Sequence, residues 1–117
     1  MNRLSDFKGE KGVMIAAELL PVIMDILAIK ENQEQKGETN AVKMFSAFMK
    51  RSPKEMMHIF AILSEEDPET YTCDGAEAMA NMLILASDPI LVGLFISQRQ
   101  MGDATSSGSA SESTEGN

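Results

Sequence analysis

Hydrophobic positions recur along most of this chain at the spacing of an α-helix rather than of a strand. Ile15, Leu19, Ile23, Ile26 and Leu27 fall on one helical face, with Glu18 and Asp25 mainly on the other. Pro21 lies inside that pattern and removes a backbone donor, which predicts a kink or a break into two short helices. Residues 30–38, KENQEQKGE, contain no apolar side chain and predict a solvated connection. A second helix is expected near Asn40, where Ala41, Met44, Phe45 and Phe48 repeat the i, i+3, i+4, i+7 pattern.

The boundaries that follow are marked by capping chemistry. In Ser52-Pro53-Lys54-Glu55 the serine can accept from the Glu55 amide, the glutamate can reach back, and Pro53 sits where a missing N–H costs nothing. The helix from Pro53 to about Ser64 should bury Met56, Ile59, Phe60 and Leu63. Pro68 disfavours a helical Asp67 and ends the pattern. Asp74 and Glu77 form a second capping pair, opening a helix expected to bury Met79, Met82, Leu83 and Ala86. Ser87-Asp88-Pro89 starts the last helix, through Ile90, Leu91, Leu94 and Phe95 to about Gln100. The expected fold is all-α, a compact bundle of about five short helices spanning residues 1–101. Residues 102–117, GDATSSGSASESTEGN, carry no apolar side chain larger than alanine and predict a disordered, weakly acidic tail.

Composition narrows the function. The net charge is −8, and basic residues are scattered, which argues against nucleic acid or an anionic membrane as ligand. A single cysteine excludes an internal disulfide and a cysteine-based zinc site, and fits a reducing cytoplasm. The polar start MNRLSDFKGEK has no signal-peptide core, and Glu18, Pro21 and Asp25 interrupt the run to Ile29 too often for a membrane span.

Chemistry-bearing motifs are sparse. His58 and Cys73, the only histidine and cysteine, form a nucleophilic pair only if the fold joins them, and isolated structural roles are the better reading. The carboxylates of residues 65–69 lack the alternating ligands and central glycine of a calcium loop. No phosphate loop, zinc-ligand cluster or cofactor motif is present, so the expectation is a binding protein and not an enzyme.

Two features exceed background. Ten methionines suit an aromatic-poor core, which accounts for most of them, but they also suit a surface that re-packs against varied apolar partners. The helical stripes leave Met49 and Met57 off the buried faces, making them candidate client contacts. Lys43, Lys50, Arg51 and Lys54 form a basic segment, either a solvated face or a rim for an acidic helical partner. Candidate binding residues are therefore Met49, Met57, Lys50, Arg51 and Lys54.

The order of short motifs resembles the tail assembly chaperones of long-tailed, siphovirus-type phages and prophages of Gram-positive bacteria. It runs from Leu4-Ser5-Asp6-Phe7-Lys8-Gly9-Glu10 and Leu19-Leu20-Pro21, through the cationic approach to the Ile59–Leu63 helix, to Asp67-Pro68-Glu69-Thr70-Tyr71. It continues in Asp88-Pro89, Leu94-Phe95 and Ser97-Gln98, and ends in Thr105-Ser106-Ser107-Gly108-Ser109-Ala110. Lys11-Gly12 and Cys73-Asp74-Gly75 depart from the family's pattern.

The resemblance implies a protein of the infected host's cytoplasm, absent from the mature virion, that keeps the tape measure protein soluble and helps recruit tail tube subunits. It further implies a programmed frameshift giving an extended form on the same helical domain, with residues 102–117 as the tether. Weak self-association is compatible with that role, and the family carries no catalytic residues. The alternatives are a small helical transcriptional regulator using residues 43–54 as its basic edge, or another non-catalytic adaptor.

Overall fold

The computed structural model describes residues 1–33 and 40–106. Among them lie a 3-10 turn at Leu4–Asp6 and six helices: α1 Gly9–Leu27, α2 Lys30–Gln33, α3 Ala41–Arg51, α4 Pro53–Leu63, α5 Gly75–Ala86 and α6 Pro89–Ser106. The five longer ones form a compact all-α bundle, as the periodicity predicts, with no strand among the described residues. α1 packs mainly on α4, and α5 on α3 and α6. At the centre, the Phe45 ring meets Phe95 edge-on at 5.2 Å between centroids, and Phe48 lies 5.3 Å from the same ring. Leu19, Ile23 and Ile26 of α1 and Met56, Ile59 and Leu63 of α4 close the core around this trio.

α1 is one continuous helix through Pro21, where the sequence pattern suggests a kink or a break. Pro21 and Ala17 are both exposed, so the carbonyl that loses its helical partner lies on the solvent side, where water can satisfy it. Gly12 has a separate cause. A Cβ there would meet the Phe7 backbone carbonyl oxygen at 2.8 Å, so only glycine lets the N-terminal strap lie against the first turns of α1.

The polar stretch after α1 is not wholly a solvated connection. Lys30–Gln33 forms the short helix α2, and Asn32 is completely buried. Its Nδ2 donates to the Ile26 carbonyl at 2.7 Å and reaches the Ser52 hydroxyl at 3.4 Å, while its Oδ1 accepts from Arg51 at 3.4 Å. This alters the expected cap of α4. Ser52 is the N-cap and Pro53 follows it, but Ser52 makes no side-chain cap bond because its hydroxyl faces Asn32. The cap of α5 is formed as expected, with Asp74 accepting from the Glu77 amide at 2.8 Å and Glu77 from the Asp74 amide at 3.2 Å. Asp88 is buried and accepts from the amides of Ile90 and Leu91 at the start of α6 and from Leu4 across the bundle.

Two further expectations change. α5 buries Asn81, Met82 and Leu85, while Met79 and Leu83 face solvent. Its sequence is apolar nearly all round, so periodicity selects no face, and the Asn81 bond to the Tyr71 hydroxyl turns that side inward. α6 is helical to Ser106, past the expected boundary at Met101. The remainder of the expected tail, residues 107–117, lies outside the described residues.

The Asn32 contacts predict a measurable cost. Asn32→Ala strands the buried Ile26 carbonyl and should lower unfolding free energy by about 1–3 kcal/mol in urea titration of the full chain. An unchanged midpoint would show that the junction carries no stability.

Candidate functional site

The side chains on α1 divide by rotation about its axis. Ile15, Leu19, Val22, Ile23, Ile26 and Leu27 point into the core. Val13, Ala17, Leu20 and Met24, spaced by four, three and four residues, form a second stripe on the opposite side. Val13 is 70% exposed, Met14 62%, Leu20 43% and Met24 54%. Glu18 and Asp25 are the only charged residues between Val13 and Leu27, and at seven residues apart they share one border of this stripe.

That border is a cleft against α4. Glu18, Pro21, Val22 and Asp25 of α1 face Lys54, Glu55 and His58 of α4 across a space of about 470 Å³. Pro21 therefore links the apolar stripe to an acid-rich groove in which Lys54 is the only lysine or arginine among the lining residues. A smaller exposed apolar patch occurs on α5, where Met79 and Leu83 are 62% and 53% exposed, with Ile90 of α6 also facing out.

The residues singled out from sequence are placed differently. Met49 is half-buried and packs against the core, and Met57 is also half-buried, so both are only partly open to solvent. α3 and α4 carry few apolar residues beyond those the core takes, and these two sit at its margin. Lys50 and Lys54 are exposed, Lys54 at the rim of the cleft. Arg51 is exposed but directs a guanidinium nitrogen to Asn32.

The other chemical candidates do not converge. His58 lines the α1–α4 cleft, whereas Cys73 lies half-buried in the connection before α5 and is not among the residues lining that cleft. Tyr71, beside Cys73, borders a separate recess of about 340 Å³ with Asn2, Glu66, Glu77 and Asn81. Burial raises the Tyr71 hydroxyl above its usual pKa, partly opposed by the hydrogen bond from Asn81. Among the described residues no group of three or more His, Cys, Asp or Glu side chains is placed so that it could hold a metal ion. No single helix among them is long and apolar enough to cross a membrane.

The geometry thus sets an exposed apolar stripe on α1 beside a cleft bordered by Glu18, Asp25 and Glu55. No protein-family model, curated protein or solved structure matches the chain. The second stripe of α1 has a sequence signal that the core pattern obscures. Between Val13 and Leu27 only two residues are charged, which is too few for a helix with one face in water.

Methionine oxidation reads this arrangement directly. With dilute peroxide, Met14, Met24 and Met79 should form sulfoxide at least about tenfold faster than buried Met44, Met56 and Met82, with Met49 and Met57 between them. Peptide mass spectrometry giving Met49 and Met57 the rate of Met24 would contradict the placement.

Proposed function

We propose that this protein is a small helical client-binding protein, and specifically a tail assembly chaperone of a long-tailed phage. In this reading it holds the tape measure protein soluble in the host cytoplasm and helps recruit tail tube subunits, with a frameshift-extended form as the link to the tube. The order of motifs from Leu4 to Ala110 supports the family, and one observation carries the mechanism. α1 keeps Val13, Met14, Leu20 and Met24 exposed on the side away from a core that is already filled.

A long helical client exposes apolar stripes before the tube encloses it. A domain that lays its own stripe along them removes that surface from water while its negative charge keeps the complex dispersed. Full burial of one Leu or Met side chain is worth about 1.5–3 kcal/mol, and these four are already partly covered. The gain is therefore several kcal/mol, of the same order as the entropy lost on association. A single contact is weak and readily displaced, which suits a holder that must yield to tube subunits. Several copies along one client would supply persistence by avidity.

The client surface proposed is the outward face of α1, with Lys54 at its rim, in place of Met49 and Met57. Co-expression with the tape measure protein of the same phage tests it. The wild-type chain and Met49→Ser/Met57→Ser should keep the client in the supernatant, and Leu20→Ser/Met24→Ser should send most of it to the pellet. Full client solubility with the α1 variant would reject this surface, and solubility no better than without the chain would reject the chaperone reading itself.

A further inference from the structure

We infer that the outward face of α1 selects an amphipathic helix whose apolar stripe is bordered by lysine or arginine. The inference deepens the client-binding reading above, but the chemistry of the occupant comes from the face itself. Val13 to Met24 spans three turns, about 16 Å, which matches three turns of a partner helix laid alongside. Met14 and Met24 are unbranched and adapt to different partner side chains.

Charge along one edge sets the sign. Glu18, Asp25 and Glu55 line the border with α4 beside His58, with Lys54 the only lysine or arginine among the lining residues. Lys11, the nearest cation earlier on α1, is already paired with Glu65. A partner helix seated on the stripe would bring its own flanking residues over this acidic border, where cations are attracted and carboxylates repelled.

Other occupants fit poorly. Residues 34–39, EQKGET, and 107–117, SGSASESTEGN, contain no apolar side chain larger than alanine, so their composition does not match an apolar stripe. A second copy of the chain would bring a net charge of −8 and the same acidic border against itself.

The test uses the full chain and two fluorescein-labelled peptides of about 18 residues that share one leucine stripe, flanked by lysine in one and glutamate in the other. Fluorescence anisotropy should show the cationic peptide binding at least about tenfold more tightly at about 50 mM salt, with the preference shrinking at about 300 mM. Leu20→Ser/Met24→Ser should weaken cationic binding about tenfold, and Glu18→Lys/Asp25→Lys should abolish or invert the preference. Met79→Ser/Leu83→Ser, on the other exposed patch, should leave binding unchanged and controls for general loss of structure.

Equal affinity for the two peptides, or loss confined to the α5 variant, would overturn the inference. So would a dimer in sedimentation that Leu20→Ser/Met24→Ser converts to monomer, since a second copy would then own the face. Failure of the tape measure co-expression with the peptide preference intact would reject the phage role and leave this inference standing. The opposite pair of results would reject the charge rule and keep the role.

Discussion

α1 has more apolar surface than the bundle can bury. Its core side is used fully, with Ile23 and Ile26 completely enclosed and Leu19 nearly so. The remaining Val13, Met14, Leu20 and Met24 are left largely uncovered by the described residues. A helix with two apolar sides and a border of only two acids is costly to leave in water and gains from a partner. The functional reading follows from this excess.

A helix of that kind could in principle pack with either side inward, so something other than hydrophobicity must set its rotation. Asn32 does this at the C-terminal end, where its amide holds the Ile26 carbonyl and joins it to Ser52 at the start of α4. At the other end, the strap from Leu4 to Phe7 is bound to Asp88 and lies over Gly12, where no Cβ is tolerated. Rotating α1 to bury its outer stripe would break these contacts and strand buried polar atoms. Polar contacts at both ends thus decide which greasy face is core and which is offered outward.

Helix order, the start of α3 near Asn40, the Asp74 cap, the Pro53 start and the core faces of α1, α3 and α4 are legible in the sequence, because spacing and capping chemistry act locally. The face of α5 is not, since GAEAMANMLILA has too little polar contrast for periodicity to choose between Met79 and Met82. Asn32 is hidden for the opposite reason. In KENQEQKGE nothing local distinguishes a residue that will be buried by helices arriving later in the chain. Met49 and Met57 follow by elimination from their own helices, whereas the surplus on α1, signalled in the sequence only by its scarcity of charge, is defined by how much of that helix the bundle consumes.

The outward side of α1 is proposed to meet the client inside the cell. Photo-crosslinking tests it most directly, with a benzophenone amino acid placed at Leu20 in the full chain during phage infection and, as a control, at Lys43 on α3. A covalent adduct with the tape measure protein from Leu20 and none from Lys43 is the predicted result. Absence of that adduct from Leu20, with the labelled chain folded and abundant, would contradict it.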